Sequence, residues 1–164
     1  MRVAGREGFT VNILLVCSGN TCRSPLAAAI LSEKLSHSDD FADTVVQSAG
    51  TAAWDGTPAS EGSYLVALER GLDLSSHRAR MLTVDQVQAA DLILTMSGAH
   101  TRRVAELGGE QKVFTLTDYV GNPDGRRDVR DPMGGDVAGY RETATLLDSL
   151  LDLAIERMRA ERRK

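Results

Sequence analysis

Cys17, Arg23 and Ser24 carry the chemistry this sequence most plainly offers. They lie in VNILLVCSGNTCRSP, Val11 to Pro25, where an apolar run ends in a thiol and a short polar segment leads to a guanidinium and a hydroxyl. A thiolate is a nucleophile, and an arginine fork grips two oxygens of a tetrahedral anion. The backbone N–H groups of Ser18, Gly19, Asn20, Thr21 and Cys22 can cradle the same anion, and a helix starting behind them adds its positive end. A doubly charged phosphoryl group suits such a site, and the same positive field favours a thiolate at Cys17. Gly19 is the residue expected to permit the close turn. The Ser24 hydroxyl can hydrogen-bond the sulfur and make it a better leaving group. The alternative for Cys17 is an inert core thiol. A nucleotide P-loop would need Gly-Lys-Ser/Thr where Cys-Arg-Ser stands, and a dinucleotide loop would need G-x-G-x-x-G, which is absent.

These residues need a scaffold, and the hydrophobic pattern supplies one. Asn12 to Cys17 reads as a strand. Pro25 suits a helix's first turn, with Ser24 as N-cap, and Ala27, Ile30, Leu31 and Leu35 fall on one face of a helix that fades near His37. Thr44 to Ser48 is a second strand, ended by Ala49-Gly50. A helix near Ser60 to Arg70 is expected to bury Tyr64, Leu65 and Leu68, with Gly71 ending it. Thr83 caps a short helix with Val84 and Val87 inward. Asp91 to Met96 and Lys112 to Leu116 are strands, with a helix over Ser97 to Leu107 between them. The last helix spans Val137 to Arg162 on a stripe of Tyr140, Ala144, Leu147, Leu150, Leu151, Ala154 and Met158. Strands alternating with helices predict an α/β three-layer sandwich, a four-stranded parallel sheet with helices on both faces. Cys17 then lies at the carboxyl end of the first strand, where open sheets bind ligands.

At 164 residues the chain suits a single domain, spanning 1–164. Residues 1–10, MRVAGREGFT, lack an apolar stretch and read as a short extension rather than a secretory signal. The net charge of −4 argues against general polyanion binding, and no apolar run is long enough to span a membrane. The two cysteines, Cys17 and Cys22, belong to one motif, which suits a reducing cytoplasm better than a disulfide scaffold. With three scattered histidines besides, no metal cluster and no cofactor are expected. The basic tail ERMRAERRK complements the end of the last helix. Between the fourth strand and that helix runs a long segment, Gly121 to Asp136, rich in Gly, Pro, Asp and Arg. Loops of that length within a compact domain are often functional.

CSGNTCRS resembles the Cys-x5-Arg-Ser loop of the low-molecular-weight protein tyrosine phosphatases. QSAGT, SSHRAR, ADLILTM and RDPMGG follow in that family's order and spacing, so the resemblance covers nearly the whole chain after the extension. It implies a metal-independent hydrolase with catalytic residues Cys17, Arg23 and Asp131. Cys17 attacks phosphorus, and Asp131, before Pro132, protonates the leaving group and then activates a water to hydrolyse the phosphocysteine. Asp128 and Asp136 keep the reading of solvated surface. Asn20, Ser24, Ser48 and His77 match family positions that hold the loop in shape. Cys22 matches a thiol able to form a protective disulfide with the nucleophile, the alternative being a passive side chain. His37 and His100 have no match and are expected to be solvated.

The resemblance leaves two substrates open. Members acting on phosphotyrosine put a bulky apolar residue before the second cysteine and aromatics after Asp-Pro. This chain has Thr21 and Met133-Gly134-Gly135, which looks like the bacterial branch acting on protein phosphoarginine, the favoured reading. Thr21, Trp54 and Met133 are the expected substrate pocket. Trp54 is a departure toward the tyrosine side, since it matches a pocket-wall aromatic of eukaryotic members, or else it packs under its loop. Arsenate reductases share the loop but need further redox cysteines, which are absent after Cys22. A non-catalytic phosphoprotein-binding module would normally have lost Cys17 or Asp131. The expected partner is a phosphorylated protein, met in the cytoplasm by a monomer, without nucleic acid or membrane.

Overall fold

A computed structural model describes residues 10–125 and 127–162. The extension expected over residues 1–10 lies, apart from Thr10, outside them, as do the last two residues of the basic tail.

β1 (Val11–Cys17), β2 (Thr44–Gly50), β3 (Leu92–Thr95) and β4 (Val113–Thr115) form one parallel sheet in the order β2-β1-β3-β4. β1 is internal, and its side chains alternate between two cores. Ile13, Leu15 and Cys17 pack with α1 (Arg23–Ser36), α2 (Glu61–Glu69) and α6 (Val137–Arg162). Leu14 and Val16 pack on the other face with Val87 of α3 (Val84–Ala89) and Val104 of α4 (Gly98–Val104). Both faces of the sheet are thus covered, which is why β1 and β3 read as unbroken apolar runs. The strand order reverses beside β1, so the crevice past its carboxyl end is where such a sheet holds a ligand.

Several elements differ from their sequence reading. Ser24 is not the N-cap of α1. Cys22 takes that position with no side-chain cap, and Ser24 lies inside the helix with its hydroxyl turned to the sulfur of Cys17. β2 runs on through Ala49 and Gly50, because a side chain at Gly50 would collide with the Ser18 carbonyl and glycine lets the strand pass the loop. α2 buries Ser63, Val66 and Ala67, while Leu65 and Leu68 are exposed and Tyr64 is half-buried. It is turned so that the Ser63 hydroxyl can donate to the Cys22 carbonyl at 3.1 Å. Val84, in the first turn of α3, is exposed, whereas the Thr83–Gln86 capping box forms as its sequence suggests. α4 ends at Val104 in a wider turn, Ala105–Gly109, in which Gly108 has φ of 95°. An unexpected short helix, α5 (Leu116–Tyr119), follows β4.

α6 matches its predicted span and stripe, with Thr143 and Ile155 also buried. Its basic end does more than complement the helix. Arg157 lies 4.1 Å from the Tyr119 ring centroid and pairs with Glu161, and Arg162 reaches Phe41 and Asp43. Arginine over an aromatic face is attractive, so the described part of the tail fastens α6 to the amino end of the sheet.

Candidate active site

The loop from Cys17 to Arg23 is shaped by bonds to its carbonyls. Cys17 O accepts from Thr51 N and Ser18 O from Ala52 N, each at 2.9 Å. Asn20 O accepts from His77 Nε2 at 2.7 Å, Thr21 O from Ser60 N at 2.9 Å, and Cys22 O from the Ser63 hydroxyl. In a trans peptide the C=O and the following N–H point opposite ways, and no described peptide is cis. Carbonyls drawn outward therefore turn the N–H groups of Ser18, Gly19, Thr21, Cys22 and Arg23 inward. They form a concave nest behind which α1 begins, and such a nest binds anions.

The left-handed residue of the loop is Asn20, with φ of 56°, and not Gly19. A Cβ added at Gly19 would meet only the Thr21 hydroxyl, at ordinary contact distance, so the turn expected of glycine is made by asparagine. Asn20 is wholly buried, and its side chain explains why it can hold this conformation. Nδ2 donates to Ser24 Oγ at 2.8 Å and to Ser48 Oγ at 2.9 Å, while Oδ1 accepts from Arg80 N at 2.9 Å. Ser24 Oγ, already an acceptor from Asn20, has its own hydrogen to give to Cys17 Sγ, 2.9 Å away. Burial pushes the His77 imidazole below its ordinary range, helped by the charges of Arg80 and Arg78. A neutral ring with its proton on Nε2 is all that the bond to Asn20 O requires.

Arg23 is nearly buried and reaches the other side of the site. Nη1 donates to Val129 O at 3.0 Å, and Nη2 lies 3.6 Å from Asp131 Oδ2. Nε is buried without a hydrogen-bond partner among the described residues. Asp131 is half exposed and accepts from Met133 N at 3.0 Å. Its loop is anchored by Val129 N to Met96 O at 2.8 Å and by Asp128, which accepts from Gly98 N at 3.1 Å. Asp136 accepts from Gly139 N at the start of α6. Asp128 and Asp136, read as solvated surface, are thus exposed residues that also anchor backbone.

Cys17 and Cys22 are both buried free thiols. Cys22 Sγ faces Ser60 Oγ at 3.3 Å, Tyr140 Oη at 3.6 Å and the Thr21 hydroxyl at 3.7 Å. Of the expected pocket residues, Thr21 belongs to the loop and is half-buried. Trp54 is 84% exposed and Met133 60%, so neither is packed away, and the reading of Trp54 as packed under its loop does not hold.

His37 is exposed as expected. His100 is not: it is 4% exposed, with Nε2 at 2.8 Å from Ser18 Oγ and Nδ1 at 3.0 Å from Ser97 Oγ. Desolvation, aided by the charge of Arg23 and opposed by Asp128 and Asp131, pushes its pKa down to about 4. A polar residue on a helix too short to show a period gives no burial signal. The available clue was position, since Ser97-x-x-His opens the helix after β3, at the ligand-binding end of a strand beside β1.

The model of the low molecular weight phosphotyrosine protein phosphatases matches residues 12–164. A protein-arginine-phosphatase of Geobacillus stearothermophilus is 36% identical over 151 residues, 91% of this chain and 97% of the relative. The low molecular weight protein-tyrosine-phosphatase PtpB of Staphylococcus epidermidis is 37% identical over 143 residues, 87% of this chain and 95% of the relative. Among solved structures, a Cys-to-Ser mutant of the YwlE arginine phosphatase with a phosphorylated active-site serine superposes with a TM-score of 0.84 at 33% identity, covering 93% of this chain and 99% of that one.

Proposed function

The chain belongs to the low molecular weight phosphotyrosine protein phosphatase family, and we propose that it hydrolyses phosphoarginine in proteins through a phosphocysteine intermediate. The observation that carries the mechanism is the reach of Arg23, which begins α1 behind the Cys17 loop and meets Asp131 from the far loop at 3.6 Å. Arg23 thereby ties the helix behind the Cys17 loop to the loop that carries Asp131.

In the first step the Cys17 thiolate attacks phosphorus in line. The S–P bond forms as the bond to the guanidino nitrogen breaks, and Asp131 gives its proton to that nitrogen. Arg23 and the inward N–H groups hold the charge on the equatorial oxygens. In the second step Asp131 takes a proton from a water whose oxygen attacks phosphorus. The S–P bond breaks, the Ser24 hydroxyl stabilises the departing sulfur, and inorganic phosphate leaves. The related arginine phosphatase carrying phosphate on a serine in its active site supports a covalent intermediate. Cys22 is proposed as the thiol that protects Cys17: once a peroxide has oxidised Cys17 to a sulfenic acid, the Cys22 thiol displaces water to form a disulfide, which a small-molecule or protein thiol reduces again.

Thr21 and the Met133-Gly134-Gly135 run support phosphoarginine over phosphotyrosine, together with the relatives named arginine phosphatases. A short hydroxyl side chain at Thr21 lacks the apolar wall that clasps a phenyl ring, and Asp131 can pair with a guanidinium as well as protonate it. Phosphotyrosine is the second reading, favoured by the exposed Trp54 indole and by relatives of similar identity named for that substrate. Kinetics on phosphoarginyl and phosphotyrosyl forms of one peptide decide between them. A kcat/KM at least tenfold higher for phosphoarginine is expected, and a ratio below one would reverse the assignment.

A further inference from the structure

His100 sits outside the Cys17 loop, yet its imidazole reaches the residue directly after the nucleophile. Nε2 is 2.8 Å from Ser18 Oγ, and Nδ1 is 3.0 Å from Ser97 Oγ, the cap of α4. The ring is 4% exposed and, with a pKa near 4, neutral at working pH, so one nitrogen donates and the other accepts. Two arrangements exist. With the proton on Nδ1, Ser97 would receive it and Ser18 would spend its own hydrogen on Nε2. With the proton on Nε2, Ser18 accepts and keeps its hydrogen for another partner.

The cap favours the second. Ser97 Oγ already accepts from His100 N, and its hydrogen finds Nδ1 as its acceptor among the described residues. Ser18 Oγ, for its part, has no hydrogen-bond partner other than His100 among the described residues, and its residue is half-buried beside the nest. Its carbonyl is fixed outward by Ala52 N. We propose that His100 is a positioning residue which, donating through Nε2, orients the Ser18 hydroxyl as an additional donor to a phosphoryl oxygen of the substrate. The inference rests on the Cys17 loop being the phosphoryl site. It makes Ser18 a binding residue through its side chain, where the nest uses only its N–H. It also couples the nest to the platform of the acid loop, because Ser97 and Gly98 adjoin Met96, whose carbonyl holds Val129.

The test uses an aryl phosphate, vanadate, and the variants S18A, H100L, H100Q and S18A/H100L. Cys17→Ser is assayed alongside: loss of its turnover establishes the phosphoryl site independently of His100. A hydrogen bond to a charged group predicts that S18A and H100L each lower kcat/KM by about tenfold and weaken vanadate binding in parallel. The double variant loses no more than either single one, because both remove the same donor. H100Q, whose amide can donate from a position near Nε2, recovers activity to within about threefold of wild type. Long-range 1H–15N spectra of the His100 ring show the Nε2–H tautomer. Normal activity in S18A, a roughly hundredfold loss in the double variant, or an Nδ1–H ring would each overturn the proposal. Should H100L fail to fold, S18A and the ring spectrum still decide it.

Discussion

Asn20 Nδ2 donates to Ser24 Oγ at 2.8 Å, and that bond fixes where the Ser24 hydrogen goes. With one lone pair occupied from the Asn20 side, the hydroxyl hydrogen is left for Cys17 Sγ at 2.9 Å. The thiol is thus influenced by an amide that does not touch it. Asn20→Ala removes the donor to Ser24 and Ser48 and the acceptor of Arg80 N, and it leaves alanine at φ of 56°. A loss of about 2–4 kcal/mol in stability is expected, with kcat down at least about tenfold and KM changed less. Urea unfolding and steady-state kinetics check both. Full kcat in a folded Asn20→Ala protein would remove Asn20 from the chain of influence on the sulfur.

Asp131 stands at the edge of the site, half exposed and near Arg23. Proton donation matters only where the leaving group needs it. Asp131→Ala therefore slows turnover of poor leaving groups by about 10²–10⁴-fold and spares good ones. A series of aryl phosphates gives the measurement. A uniform loss across the series would recast Asp131 as a binding residue.

Thr21 is the loop residue proposed to bear on the substrate choice. Thr21→Ile replaces a hydroxyl by an apolar wall and should shift the ratio of kcat/KM values toward phosphotyrosine. A gain of roughly tenfold is in line with what one apolar contact contributes to discrimination. An unmoved ratio would take Thr21 out of substrate selection.

His100 also sets a pH window for stability. Its folded pKa, about 4, lies below the ordinary 6.5, so between those values the unfolded chain holds more protons than the native one. Stability is then fully present above pH 6.5 and falls as pH drops toward 4, by on the order of 3 kcal/mol. His77, also shifted down, adds in the same direction. Urea midpoints measured from pH 7.5 to 4 should fall for wild type and fall less for His100→Gln. Parallel curves would mean that the buried ring takes up its proton as readily folded as unfolded.

The parts of this molecule legible in the sequence are those where residue type and chemistry coincide. Cys17 and Arg23 carry groups with few other uses at such spacing, Asp131 is singled out only by the family resemblance, and α6 is long enough for its stripe to state both its span and its face. What could not be read depends on orientation. Ser24 looks like a helix cap, as a serine before proline should, yet its hydroxyl is taken by the sulfur. α2 has apolar residues on more than one side, and the bond from Ser63 to Cys22 O decides which side turns inward. His100 and Asp128 are polar residues in short or irregular segments, where no periodicity reports burial, and their partners lie 82 and 30 residues away.

β1 lies inside the sheet with β2 and β3 on its flanks, while Asp131 rides on a loop that joins no strand. The two halves of the chemistry therefore sit at different depths of local stability. Amide hydrogens of Leu14 to Val16 are expected to exchange with solvent only when the whole fold opens, and those around Asp131 through smaller fluctuations, which hydrogen exchange checks. Under mild denaturing stress Asp131, the proposed acid, is expected to be displaced first, while Cys17 and its loop are still in place. A protein weakened in this way remains a trap for phosphate and its analogues after it has ceased to turn over.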